Sequence, residues 1–166
     1  NTLLASMTDE VASLVLQDNY DQTGALSVME HAAAAELDSH ERFIEQLESQ
    51  GRLDRVVEGL PSAEAFRHLR EHQLGLTRPE LAVLMAYAKL DIFDSLIKSK
   101  APDDPAFAPL LTDYFPTELK RFDAARDRHR LRREIIATRL SNRIVNMTGA
   151  TFAAQKRDAE GIDAGR

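Results

Sequence analysis

Residues 76–90 read LTRPELAVLMAYAKL, a stretch that joins a helix start signal to a helical apolar repeat. Thr77 and Glu80 stand three residues apart ahead of the apolar run, with Pro79 between them, which is the pattern of a capping box with proline in the first turn. Past this cap, apolar residues recur at helical spacing: Leu81, Leu84, Met85, Ala88, Ile92, Phe93, Leu96 and Ile97. The stretch predicts a long amphipathic helix over about 77–99 with one face in a core. It contains no nucleophile, no acid–base pair and no phosphate-binding loop.

Helical periodicity runs through the rest of the chain, and no alternating pattern of apolar and polar residues predicts a strand. We therefore predict an all-α fold without a sheet, in which about nine helices form an antiparallel bundle because their connections are short. The other predicted helices cover about 8–19, 22–35, 36–50, 52–60 and 63–74, then from Asp103 or Asp104 to about 116, then 117–125 and 128–147.

Several residues mark the predicted helix ends and buried faces. Gly51, Gly75 and Gly149 are typical of helix C-termini, and Ser62 is a typical N-cap. The third helix is expected to bury Leu37, His40, Ile44 and Leu47. The last long helix is expected to bury Leu131, Ile135, Ile136, Leu140, Ile144 and Val145.

The length of 166 residues suits one domain that can bury a core of its own. We assign residues 1–152 to this helical domain and residues 153–166 to a polar tail that is expected to fray. The chain begins at Asn1 rather than at Met, so we expect it to be a processed chain or part of a longer one.

Composition excludes several classes of function. The absence of cysteine excludes disulfides, thiolate catalysis and cysteine-ligated metal sites, and it suits a reducing cytoplasm. The longest apolar run, Leu81 to Ala88, has eight residues and is too short to span a membrane. No signal-peptide pattern opens the chain. The net charge of −6 argues against nucleic acid as the main partner.

Residues 68–72 read HLREH, which matches a known zinc signature. His68 and His72 lie four residues apart on one helix face and could hold a metal, with Glu71 as the base. The alternative is a solvated helix face carrying charge pairs at four-residue spacing, such as Glu64 with His68. A match of five residues is weak, so we predict no metal site.

The region from Lys120 to Arg143 is strongly basic, with nine basic and three acidic residues. Its arginines could follow nucleic-acid phosphates, or they could pair with carboxylates of adjacent helices or of a partner subunit. No aromatic residues alternate with them for base stacking, which favours the second interpretation. The candidate interface residues are Arg126, Arg130, Arg133, Arg139 and Arg143.

Nucleotide-binding loops are missing, because none of the seven glycines stands in a dinucleotide or Walker spacing. A polar cluster, Asp18-Asn19-Tyr20-Asp21-Gln22, lies at a predicted helix end. It is either a helix-terminating turn or a surface that reaches a neighbouring site.

Three stretches together resemble one family. They are MTDEVASLVLQDNYDQT at 7–23, GLTRPELAVLMAYAKL at 75–90 and HRLRREIIATRLSNRIVN at 129–146. They are similar to the C-terminal part of the large bacterial NAD-specific glutamate dehydrogenases. The resemblance implies a helical domain that follows a dehydrogenase core, and that core would hold the NAD, the catalytic lysines and the glycine-rich loop.

The same resemblance implies that this segment has no catalytic residue, cofactor or metal of its own. The parent would oxidise L-glutamate with NAD and water to 2-oxoglutarate, ammonium and NADH, as a cytoplasmic homo-oligomer. Asp18, Asn19, Tyr20 and Gln22 are then expected to contact the upstream core. The alternative is an independent helical module that binds protein or nucleic acid through the arginine-rich helix 126–143.

Overall fold

A computed structural model describes residues 21–110 and 130–151. Within them the chain forms six α-helices: α1 (21–32), α2 (Leu37–Ser49), α3 (Arg55–Glu58), α4 (Ala63–Glu71), α5 (Arg78–Ile97) and α6 (Arg132–Thr148). Two 3₁₀ turns, Ala101–Asp103 and Pro105–Phe107, follow α5 and lead into helical residues 108–110. No strand occurs in these ranges, which confirms the all-α fold. The predicted helices over 8–19 and 117–125 and the tail at 153–166 lie outside the described residues.

Helix α5 begins as its sequence predicts. Thr77 and Glu80 form a capping box, in which the Glu80 carboxylate accepts from the Thr77 N–H at 2.9 Å and from the Thr77 hydroxyl at 2.6 Å. The first half of the helix buries its predicted face completely: Leu81, Leu84, Met85 and Ala88. The predicted apolar residues of its second half are only partly buried: Ile92, Phe93, Leu96 and Ile97.

The core consists of two apolar clusters, and α5 contributes to both. The main cluster joins side chains of α1, α2, α4, α5 and α6, including Phe43, Phe66, Leu84 and Val145. A smaller cluster joins Leu96 of α5 to residues of the segment after it and of α6: Phe107, Leu110, Ile135, Ile136 and Leu140. Full burial of each large apolar side chain contributes about 1.5–3 kcal/mol. Helices α5 and α6 pack along each other, and together they connect the two clusters.

Two glycines end helices as predicted. Gly51 has a φ of 70°, and the bonds from Gly51 N–H to the Glu48 carbonyl and from Arg52 N–H to the Leu47 carbonyl close α2 in a Schellman motif. Gly149, with a φ of 89°, follows the last residue of α6. Both positions have a positive φ, which glycine adopts without the steric cost that a side chain would bring.

Helix α4 keeps its predicted start but ends earlier than predicted. The Ser62 hydroxyl accepts from the Ala65 N–H at 3.1 Å, which confirms the cap. The helix stops at Glu71, and Gln73 adopts the left-handed conformation with a φ of 55°. Gly75 therefore does not end α4, and the prediction of its role was wrong.

Gly75 instead allows two segments to approach closely. A Cβ built on Gly75 would overlap Ala33 and would lie 2.6 Å from the backbone nitrogen of Ala34. The chain turns over residues 33–36, so α1 ends at residue 32 although the alanine run favours helix. Ala33 is buried in this turn, and the tertiary contact prevails over the local propensity.

Helix α6 differs from its prediction at the N-terminus. Residues 130 and 131 form a turn, and the Leu131 carbonyl accepts the first helical bond from the Ile135 N–H at 2.9 Å. As the N-cap residue, Leu131 is outside the buried face and is exposed, so its assignment to the core was wrong. Three other predicted core residues of α6 are buried: Ile136, Leu140 and Val145. None of the described helices is long and apolar enough to cross a bilayer.

We expect Gly75→Ala to destabilise the fold, because the added methyl group would push the turn at Ala33 away from the start of α5. The expected loss is about 1–3 kcal/mol, the usual cost of overpacking. Urea unfolding followed by circular dichroism measures it.

The matched control for that substitution is Gly24→Ala, at a helical position of α1 where a Cβ meets no atom within 4 Å. It should stabilise the protein by roughly 0.5–1 kcal/mol. Equal effects of the two substitutions would contradict the close approach at Gly75.

Candidate functional site

The N-terminus of α6 is fastened to the turn that follows α5. Arg133 donates from Nε to the Asp103 carboxylate at 3.1 Å and from Nη2 to the Ser99 carbonyl at 2.8 Å. Arg132 Nη1 lies 3.6 Å from the same Asp103 oxygen. Two guanidinium groups therefore share one carboxylate, which is the in-chain pairing that planar arginine forks make well.

The other candidate interface arginines lie elsewhere. Arg130 is exposed in the turn before α6, Arg139 is half-buried, and Arg143 is exposed on α6. Arg126 lies outside the described residues. Arg133 thus binds residues of its own chain. The assignment of the five candidate arginines to an interface stays a prediction.

Two residues of the polar cluster at 18–22, Asp21 and Gln22, lie among the described residues. Gln22 is half-buried near the start of the described part of α1. Asp18, Asn19 and Tyr20 lie outside the described residues. A contact between these residues and an upstream core stays a prediction.

The histidine pair of the zinc-like motif lies at the exposed end of α4. The rings of His68 and His72 have centroids 4.1 Å apart and planes inclined by 38°. His72 is the C-cap residue of α4, and its Nδ1 lies 2.9 Å from the His68 carbonyl oxygen. No three histidine, aspartate or glutamate side chains in the described ranges are grouped so that they could hold a metal.

An open groove of about 660 Å³ runs beside His68, between α4 and the start of α5. Its walls include the carboxylates of Glu64 and Glu80 together with apolar residues of the loop at 59–62. Glu80 is already engaged in the cap of α5. Thr77 also lines the groove, and its hydroxyl donates to the Glu80 carboxylate at 2.6 Å. Because the same carboxylate accepts from the Thr77 N–H, this contact belongs to the helix cap.

The comparison with known proteins identifies the family of the chain. Residues 73–166, more than half of the chain, match the family described as "Glutamate dehydrogenase, C-terminal". The chain belongs to this family. Helices α5 and α6, which carry two of the three stretches that show the resemblance, both lie in the matched part.

Three relatives of this member of the glutamate dehydrogenase C-terminal family are each named NAD-specific glutamate dehydrogenase. The protein of Halomonas elongata is 43% identical over 164 residues, that of Pseudomonas aeruginosa 42% over 165, and that of Mycobacterium tuberculosis 41% over 161. The matches cover 96–99% of this chain, but each covers 10% of the relative. The chain therefore spans about a tenth of the length of these relatives.

This member of the glutamate dehydrogenase C-terminal family buries one titratable histidine in its core. His40 of α2 is completely buried, and neither ring nitrogen has a hydrogen-bond partner among the described residues. The nearest carboxylate oxygen, of Glu36, lies 3.6 Å from Nε2 on a side chain that is 46% exposed, so water screens its charge. Burial consequently lowers the pKa of His40 from 6.5 to about 4.

We expect Arg133→Ala to loosen the connection between α5 and α6. Both partners of the ion pair are partly exposed, so the expected loss is only about 0.5–1.5 kcal/mol, mostly from the lost bonds to Ser99 and Asp103. Thermal unfolding measures it, with Arg143→Ala as the control at an exposed arginine of the same helix. A larger effect at Arg143 would contradict the fastening role of Arg133.

We expect the stability of the fold to depend on pH through His40. Between pH 6.5 and about 4 the unfolded chain binds a proton that the folded chain excludes, so stability falls as the pH is lowered through this window. The full effect is about 3 kcal/mol. Urea unfolding of the wild type and of His40→Leu at pH 7.5 and pH 4.5 measures it.

The His40→Leu variant should be at least as stable as the wild type at pH 7.5 and should lose less stability at pH 4.5, because leucine has no buried polar atom to leave unsatisfied. The matched control is His31→Leu, at an exposed histidine of α1. If His31→Leu flattens the pH dependence as much as His40→Leu does, the assignment to His40 is wrong.

Proposed function

We propose that the chain is a non-catalytic helical domain of an NAD-dependent glutamate dehydrogenase, with a structural, oligomerisation or regulatory role. One observation carries the proposal. Enzymes named NAD-specific glutamate dehydrogenase match nearly the whole chain, while the chain covers a tenth of each enzyme. A domain that makes up a tenth of an enzyme can fold without contributing residues to the active site.

The chemistry of the reaction also supports a cofactor site outside this domain. Oxidation of L-glutamate to 2-oxoglutarate and ammonium passes a hydride to NAD, which needs a dinucleotide site. Such sites are formed by a strand, a glycine-rich loop and a helix. The described residues contain no strand and no such loop. The proposal accordingly has the NAD of the parent enzyme bind outside this segment, which then holds no cofactor of its own.

The proposal includes the arrangement of the whole domain. Residues 1–152 form an antiparallel bundle of about nine helices, and 153–166 form a polar tail. Asp18, Asn19, Tyr20 and Gln22 contact the upstream core. Exposed arginines of the basic region contact another subunit of a cytoplasmic homo-oligomer.

The family relationship does not favour the alternative, an independent module that binds protein or nucleic acid. The geometry of the basic region also weighs against it. Arg132 and Arg133 already pair with Asp103, so they are less available for phosphate contacts.

The complete polypeptide should reduce NAD when L-glutamate is added, and residues 1–166 alone should not. NADH absorbance measures both, and circular dichroism verifies that the shorter chain is helical. NADH formation by residues 1–166 alone would contradict the assignment of the catalytic site to another part of the chain.

The interface role is tested by Arg130→Glu combined with Arg143→Glu in the complete polypeptide, with mass measured by light scattering. The expected result is a smaller assembly, while Arg67→Glu, at an exposed arginine of α4, leaves the mass unchanged. Tight binding of DNA or RNA that weakens steeply with salt would favour the alternative instead.

A further inference from the structure

Helix α3 presents two apolar side chains to solvent. Val56 is 90% exposed and Val57 is 79% exposed, although the helix is only four residues long. We refer to these two residues as the valine tip. Exposed valine is common singly, but two adjacent valines on a short helix form a protruding apolar surface.

The residue before the valine tip is held by four contacts. Arg55 donates from Nε to the Glu48 carboxylate at 2.8 Å, and its Nη2 lies 2.8 Å from the same oxygen. Its Nη1 donates to the Pro61 carbonyl at 3.1 Å, and the guanidinium lies over the Phe66 ring, 5.7 Å from the centroid. These contacts join α3 to α2, to the following loop and to α4.

The residues on either side complete the support. The Asp54 carboxylate accepts from the backbone N–H of Val56 at 2.9 Å and of Val57 at 3.2 Å. The Glu58 carboxylate accepts from the Tyr87 hydroxyl at 3.0 Å. Asp54 thus caps α3 itself, Glu58 joins it to α5, and both valine side chains remain exposed. A valine has a single χ1 rotation to lose, so this rigid tip binds at little entropic cost.

Helix α3 contacts a segment of α5 that also has an exposed apolar residue. Arg52 pairs with Asp91 at 2.6 Å, and Tyr87 bonds to α3, so α3 lies beside the middle of α5. Leu90, in the same stretch of α5, is 58% exposed. The part of α5 that contacts α3 therefore also carries an exposed apolar side chain.

The charge around the valine tip is acidic. Arg52 and Arg55 are paired with carboxylates of the domain, Asp91 and Glu48. Among the described residues, Asp54 and Glu58 accept hydrogen bonds from uncharged donors and keep their negative charge. A partner suited to this surface has an apolar pocket with basic residues at its rim.

We propose that the valine tip docks into an apolar, basic-rimmed pocket on another part of the longer polypeptide. The inference rests on the proposed function, since nine tenths of each relative's length lies outside the matched region. A pocket on the same polypeptide is present at high effective concentration. A second copy of the tip is disfavoured, because a two-fold contact would bring the Asp54 and Glu58 carboxylates of both copies together.

Cysteine labelling in the complete polypeptide tests the docking. Val56→Cys should react with a maleimide at least about tenfold more slowly than Val28→Cys, which corresponds to an undocking free energy of about 1.4 kcal/mol or more. Val28 is the matched control, a valine of α1 that is 71% exposed. Adding Val57→Glu to the Val56→Cys protein should restore fast labelling. Neither change affects a buried side chain, so both proteins are expected to fold.

Equal labelling rates at Val56→Cys and Val28→Cys would overturn the proposal. Slow labelling of Val56→Cys that becomes fast on dilution would also overturn the proposal, because the valine tip would then bind a second copy of the polypeptide. Glutamate-dependent reduction of NAD is measured on the same samples. If Val56→Cys is labelled fast while the protein still reduces NAD with glutamate, the docking is refuted and the proposed function is not. If the unsubstituted polypeptide does not reduce NAD with glutamate, the proposed function is refuted.

Discussion

The burial of one face of α5 is the constraint on which the described structure depends. Leu81, Leu84, Met85 and Ala88 lie in the main cluster, and Leu96 lies in the second cluster with residues of α6. Burial of this area is the largest favourable contribution to folding that the helix makes. Because both clusters share α5, the capping box at Thr77 sets where the helix begins and so aligns the residues of both clusters.

Contacts around α5 set the ends of its neighbours. The close approach of Gly75 and Ala33 requires the chain to turn after α1, and the pairing of Arg133 with Asp103 holds the start of α6 against the turn after α5. Neither contact is large in energy. Each selects one arrangement among several that a helical chain could adopt, which is how small polar and steric contacts confer specificity on an apolar core.

Among the described residues, the exposed valines are the feature that most suggests a function. The chain belongs to the glutamate dehydrogenase C-terminal family and spans a tenth of the length of the relatives it matches. In such a domain, the residues that indicate function are those that the fold holds in a fixed position but leaves exposed. The valine tip fits this description, since Arg55 and Glu58 bind other parts of the domain, Asp54 caps α3, and Val56 and Val57 stay exposed.

The sequence by itself determined the features that depend on residues within about four positions of one another. These include the all-α class, the caps at Ser62 and Thr77, the glycine stops at Gly51 and Gly149 and the buried face of α5, because helical hydrogen bonds and periodicity are local. The similarity of three stretches also identified the family. Only the tertiary structure decided the role of Gly75, the exposure of Leu131 and of the valine tip, and the pairing of Arg133 with Asp103, thirty residues away. Those properties depend on which distant segments meet, and a local pattern carries no information about that.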